Sequence, residues 1–252
     1  MSAVAAPAGR FTAVLLDGRT ATVTWSRPER RNAIGAEVCA ELVPALTGLA
    51  GRRDVDVVVL RAAGRPFCAG WDVTDFAGLA GASPGELAAF FRHGRRLLAA
   101  IGALPQVTVA APAGAALGFG CALLARCDLV VAADDCRFGL PEITLGMPPA
   151  TVLPELLRVM TRRAALAWAV TGERLPAHRA LADGLVTSVV PAAAHEEETA
   201  ALAAALAGRR PGVVRDTKAL AGRLAAAGEE DRTALGMASA IARFTASEGE
   251  AR

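Results

Sequence analysis

The run Asp54-Val55-Asp56-Val57-Val58-Val59-Leu60 and, just after it, Gly64-Arg65-Pro66-Phe67-Cys68-Ala69-Gly70-Trp71-Asp72 decide the fold. The first part is short, apolar and rich in β-branched residues, which suits a buried strand. The second is a glycine-rich turn whose backbone amides need partners. This pairing of strand and turn then recurs. A helical stretch from about Glu86 to Ile101 leads to a strand at Val107-Thr108-Val109-Ala110. A second glycine-rich turn at 114–120, a short helix through Leu124 and a strand at Asp128–Ala133 follow. Strands alternating with helices predict an α/β core whose strand-end loops lie near one another, where ligands usually bind.

Upstream, residues 11–25 alternate around a turn at Asp17-Gly18 and read as a two-strand hairpin. The polar loop Ser26-Arg27-Pro28-Glu29-Arg30-Arg31-Asn32 and a helix over 36–50 complete a β-β-α-β unit. Beyond Pro191 the texture changes. Residues 193–247 are almost wholly helix-forming, broken at Arg210-Pro211-Gly212, and predict two or three terminal helices. Their alanine-rich faces bury little apolar area alone, so packing on another subunit is expected. The chain divides into a core at 1–192 and a helical region at 193–252.

Composition narrows the function. With 252 residues, 53% hydrophobic, 21% charged and a net charge of +2, the chain is globular and large enough for a core with an internal pocket. A general nucleic-acid binder would concentrate cationic charge and stacking aromatics, whereas only 4% of residues are aromatic and none is Tyr. The five cysteines, Cys39, Cys68, Cys121, Cys127 and Cys136, form no CxxC or Cys/His cluster. They read as reduced thiols of a cytoplasmic protein, with no metal site. The segment Met1-Ser2-Ala3-Val4-Ala5-Ala6-Pro7 lacks the features of a signal peptide, and no stretch is apolar and long enough to span a bilayer.

The chemistry sits in the turns. Gly114-Ala115-Ala116-Leu117-Gly118-Phe119-Gly120-Cys121-Ala122 opens a short helix whose first amides are unpaired, so an anion or developing oxyanion is stabilised there. The spacing fits neither GxGxxG nor a P-loop. Together with Phe67-Cys68-Ala69-Gly70-Trp71-Asp72 and Phe138-Gly139-Leu140-Pro141-Glu142-Ile143-Thr144-Leu145-Gly146, the set resembles the crotonase superfamily, the enoyl-CoA hydratase/isomerase family. The resemblance starts at Arg27-Pro28-Glu29-Arg30-Arg31-Asn32-Ala33, takes in Thr171-Gly172-Glu173 and Ala180–Val186, and so covers most of residues 11–190 in order.

The resemblance implies an α/β crotonase-like spiral of repeated β-β-α units with a C-terminal helical region for oligomerisation. It places the amides that polarise an acyl thioester at Trp71 and Phe119, each donor supplying about 3–4 kcal/mol to an enolate-like transition state. Phe119 stands where the family usually has a third glycine, and Trp71 where a smaller residue is common; plain packing is the first expectation for both side chains. Hydratases of the family carry two glutamates. Here the first position is Ala122 and the second Glu142. One carboxylate suffices to move a proton from one carbon to another, which favours double-bond isomerisation over hydration. The apolar neighbours Leu140, Pro141, Ile143 and Leu145 suggest a raised Glu142 pKa.

Asp72, Asp75 and Asp128 are the other carboxylates within reach, with capping or turn hydrogen bonds as their expected roles. His93 is a candidate pocket-lining residue, and His178 and His195 read as surface positions. The resemblance implies no metal or redox cofactor, with coenzyme A entering as part of the substrate. The only lysine is Lys218, so phosphate contacts fall to arginine, Arg30 with Arg27 and Arg31, and the Cys68, Ala69, Gly70 and Asp72 backbone would meet the adenine or pantetheine end. The run Gly146-Met147-Pro148-Pro149-Ala150-Thr151-Val152-Leu153-Pro154 resembles that of family dehydratases acting on acyl-carrier-protein thioesters in polyketide β-branching, an alternative partner. A catalytically silent scaffold is the rival from another class. The family's homotrimers, often paired into hexamers, set the expected assembly.

Overall fold

In the computed structural model of the chain, residues 4–5, 9–79 and 81–249 are described. The signal-peptide reading thus falls mostly outside the described residues, of which it includes only Val4 and Ala5. Ten strands are assigned among them: β1 (Val4–Ala5), β2 (Thr12–Asp17), β3 (Thr20–Trp25), β4 (Val57–Ala62), β5 (Val107–Ala110), β6 (Ala115–Leu117), β7 (Leu129–Ala133), β8 (Arg137–Gly139), β9 (Leu175–Pro176) and β10 (Ser188–Val190). The helices are α1 (Ala36–Ala50), α2 (Pro84–Gly102), α3 (Phe119–Ala125), α4 (Leu153–Leu156), α5 (Arg162–Thr171), α6 (Ala177–Ala182), α7 (His195–Ala207), α8 (Val213–Ala226) and α9 (Glu229–Gly249). Short 3-10 helices occupy Pro28–Arg30, Val73–Leu79 and Pro141–Leu145.

One sheet has the order β1-β2-β3-β4-β5-β7-β10 and a smaller one β6-β8-β9. From β3 onward every neighbour in the large sheet is parallel. The run at 57–60 is continuous because β4 is buried on both faces. Val58 and Leu60 join the main core while Val57 and Val59 join a second cluster with Val109, Val131 and Ala203 of α7. On β3 burial alternates, with Ala21, Val23 and Trp25 inside.

The register sets the site. Trp25 pairs with Ala62 and Leu60 with Ala110, so β3 and β4 end level and β5 ends two residues short of them. The loops leaving them therefore emerge at one edge. Asn32 ties two of these loops together: its side-chain amide donates to the carbonyls of Ala63 (3.1 Å) and Pro66 (2.7 Å), and its Oδ1 accepts from the Arg27 amide at 2.8 Å.

Two sequence expectations change. His195, read as a surface residue, is 6% exposed at the start of α7, where Nε2 donates to the Val131 carbonyl at 2.9 Å. α7, grouped by sequence with the terminal helices, packs on the large sheet through Ala203. His178 and His93 are exposed. No helix of the described residues is long and apolar enough to cross a membrane.

Candidate active site

One short parallel bridge ties the two glycine-rich turns together, and a second ties the first turn to the loop before α1. Cys68 donates to the Ala115 carbonyl at 3.0 Å and accepts from Leu117 at 2.9 Å, while Ile34 donates to Gly70 (2.9 Å) and accepts from Asp72 (2.8 Å). In the second bridge the bonds run through the residues flanking Trp71, so the Trp71 amide points away from Ile34. Phe119, the first residue of α3, has no helical acceptor for its amide. Among the described residues neither the Trp71 nor the Phe119 amide donates a hydrogen bond. Two free donors thus lie on neighbouring turns.

Glu142 sits in the 3-10 helix Pro141–Leu145 that follows β8. Gly118, the N-cap of α3, has φ +49° and donates to the Gly139 carbonyl at 2.9 Å. A Cβ at Gly118 would lie 2.6 Å from Glu142 Oε1, so the bare glycine is what lets this carboxylate reach the start of α3. Glu142 Oε2 is buried without a hydrogen-bond partner among the described residues. Burial pushes the Glu142 carboxyl above its ordinary range, only partly opposed by its own backbone amide. Ala122, one helical turn on from Gly118, is fully buried and adds only a methyl group.

The other carboxylates are engaged. Asp72 meets the Arg27 guanidinium at 2.7 Å and accepts from the Thr74 amide and hydroxyl. Asp75 accepts from the Ala36 amide at the start of α1, and Asp128 accepts from Thr108 and Lys218. Each has the capping or bracing role expected. Lys218 and Arg27 are likewise committed, while Arg30 is exposed beside the first turn. Within that turn the amides of Cys68, Ala69 and Asp72 donate inside the fold and the Gly70 amide meets Cys68 Sγ at 3.4 Å. Toward a ligand the turn can therefore offer the Ala69 and Trp71 carbonyls, which accept nothing among the described residues. Burial pushes the Cys68 thiol up to about 12, so it stays protonated and acts as packing.

The side chains of the two donor residues meet edge to face, with ring centroids 5.1 Å apart. Trp71 also contacts Phe90 of α2 at 5.4 Å, and Phe90 in turn contacts Phe76 and Phe91. Sequence reasoning missed this cluster because its members come from three separate segments. A cleft of about 870 Å³ opens elsewhere, between α7 and the sheet face carrying Thr20, Thr22, Val59 and Arg61. Its three arginines are already paired, Arg19 with Asp56, Arg61 with Glu196 and Arg65 with Asp135.

Two free amides near one half-buried carboxylate can hold an oxyanion and move a proton. A family model described as enoyl-CoA hydratase/isomerase matches residues 17–239. The chain belongs to the enoyl-CoA hydratase/isomerase family. Its spiral of β-β-α units is the crotonase fold: a solved enoyl-CoA hydratase of Mycobacterium smegmatis superposes with a TM-score of 0.87 at 32% identity, covering 94% of this chain and 91% of that one. The human enoyl-CoA hydratase domain-containing protein 3 gives 0.87 at 27% identity, covering 94% and 92%. Among curated family members, the 2,3-dehydroadipyl-CoA hydratase of Escherichia coli is 36% identical over 195 residues, 77% of this chain and 74% of the relative. A putative enoyl-CoA hydratase of Thermus thermophilus is 35% identical over 217 residues, 85% of each. No cluster of metal-ligating side chains occurs among the described residues.

Proposed function

We propose that this family enzyme isomerises the double bond of an enoyl-CoA, with Glu142 as the single proton shuttle. The thioester oxygen accepts from the Trp71 and Phe119 amides. Glu142 takes a proton from the carbon next to the thioester carbonyl, the electron pair moves onto the oxygen, and the same carboxyl returns the proton at the far end of the former double bond. Donors fixed by the fold need no reorganisation as the enolate forms. The Cys68–Asp72 turn, through its carbonyls, and the exposed Arg30 receive the coenzyme A portion.

One observation carries this reading: Glu142 presents a buried, unpartnered carboxylate oxygen beside Gly118, while Ala122 supplies no second carboxylate. Hydration, the activity in the names of the relatives above, is the second reading. It asks one group to activate water while another manages the proton.

Incubation with 3-enoyl-CoA, 2-enoyl-CoA and 3-hydroxyacyl-CoA, followed by conjugated-thioester absorbance, separates the two. Conversion of the first alone supports isomerisation; interconversion of the last two supports hydration and overturns the proposal. Glu142→Gln is expected to lower kcat by about 10²–10⁴-fold with acyl-CoA binding retained, and near-normal turnover would remove Glu142 from the mechanism.

A further inference from the structure

The two residues that carry the donor amides also carry large rings, and those rings pack on each other. The Trp71 and Phe119 rings run from the turns to α2, where they meet Gly94. A Cβ at Gly94 would lie 2.9 Å from a ring atom of each. Gly94 is buried, and Phe119 is only 5% exposed. Behind them the molecule is solid, since every residue of α3 is buried and so are Phe138 and Leu140. The chain has only eight Phe and three Trp, yet Trp71, Phe76, Phe90, Phe91 and Phe119 form one continuous series of ring contacts on this side.

An acyl group whose oxygen sits on both amides has its carbonyl carbon against the backbones of Trp71 and Phe119. Toward α2 its chain meets two mutually perpendicular rings, and toward the interior it meets α3. A close-packed wall of this kind does not yield to extra methylenes without displacing rings.

We propose that Trp71 and Phe119, seated against Gly94, are specificity-determining residues that restrict the enzyme to thioesters of short acyl groups. This rests on the acyl-thioester reading above and names the substrate class within it. The two ring-bearing residues then serve twice: their amides hold the oxygen and their side chains end the pocket.

The test uses saturated esters, which undergo neither isomerisation nor hydration, so binding reports the wall apart from the chemistry. Butyryl-CoA and decanoyl-CoA are titrated into the full chain by calorimetry. If the longer tail entered an apolar pocket, each added methylene would tighten binding and decanoyl-CoA would win by far more than tenfold. The expected result is that butyryl-CoA binds at least as tightly. Phe119→Gly and Trp71→Ala each keep the backbone amide and remove a ring, and either is expected to shift the preference toward decanoyl-CoA by about 10–100-fold. Gly94→Ala, which presses on both rings, is expected to weaken butyryl-CoA binding further.

Tighter binding of decanoyl-CoA by the unaltered protein, no binding of either ester, or an unchanged preference in folded forms of both ring-removing variants overturns the proposal. Turnover of unsaturated esters is scored separately. A protein that prefers butyryl-CoA yet converts no enoyl-CoA keeps the wall and loses the proposed reaction, and one that isomerises enoyl-CoA while preferring decanoyl-CoA does the reverse.

Discussion

Glu142 is held at a cost that its environment makes measurable. Because burial raises its pKa, the folded protein holds the proton more tightly than the unfolded chain does. The stability this group contributes is therefore complete below the unfolded value of 4.5 and is lost as pH rises through the folded one. As pH rises the half-buried carboxyl, whose Oε2 has no hydrogen-bond partner among the described residues, therefore weakens the fold. Glu142→Gln is thus expected to melt higher than the unaltered protein at neutral pH, with the gain fading in acid; thermal unfolding across pH checks it, and a lower melting point at neutral pH contradicts it. The same raised value places the acidic limb of the kcat/KM profile above the ordinary glutamate range, since a base must first lose its proton. The residue itself was singled out by the ordered motifs around it. Its environment was not: nothing in the sequence places Gly118 against Glu142, because that approach depends on the 3-10 helix after β8 folding back over the start of α3.

Elements that carry their own periodicity were read well. The 36–50 helix and the strand at 107–110 have the boundaries expected from their patterns, because burial on one or both faces fixed every position. The small sheet was not read, since β6, β8 and β9 are two or three residues long and too short to alternate. The start of α2 carried a signal that glycines at 78, 81 and 85 obscured: Ser83 and Glu86 form a reciprocal capping box. α8 shows how an element without an apolar anchor is fastened. It has no buried residue. Its grip is ionic, through Arg215 on Asp56 at 2.9 Å and Lys218 on Asp128 at 2.6 Å, with Arg19 completing the Asp56 site. Burial alone would raise the Asp56 carboxyl, but the Arg19 hydrogen bond, the Gly212 amide and the Arg215 charge hold it below the ordinary range. Its stabilisation is thus present above the unfolded pKa and lost only as pH falls through the lower folded value. Removing one partner of a buried pair costs about 3–5 kcal/mol, and the partial exposure of both arginines lowers the expected cost of Asp56→Asn to about 2–3 kcal/mol. Urea unfolding measures that loss, and hydrogen exchange is expected to show the α8 amides opening first. Lys218→Ala, at a more exposed pair, is expected to cost about 0.5–1 kcal/mol.

At the scale of the whole molecule, several exposed large apolar side chains lie on adjoining elements. Leu166 and Val170 lie one turn apart on α5 and are 44% and 59% exposed. Leu145, at 62%, lies on the 3-10 helix packed against α5, and Leu157 and Val159 follow α4, also α5's neighbour. Monomeric proteins rarely leave so many large side chains on adjoining elements uncovered. The sequence reading expected a subunit contact on the alanine-rich terminal helices, which have little to bury on their own, whereas this face lies on α4, α5 and the 3-10 helix before them. This face was invisible in the sequence, where Ile143, Leu145, Leu157, Leu166 and Val170 are scattered over three elements and look like ordinary core positions. We propose that a second copy of the chain covers this face in a homo-oligomer, a homotrimer or its doubled hexamer. Light scattering at micromolar concentration is expected to give a multiple of the chain mass of 25.7 kDa. Replacing Leu166 and Val170 together by Asp buries two charges in that contact and is expected to release monomers. Because the covered face includes the helix that carries Glu142, those monomers are also expected to lose activity, and a fully active monomer of the unaltered protein contradicts the assembly.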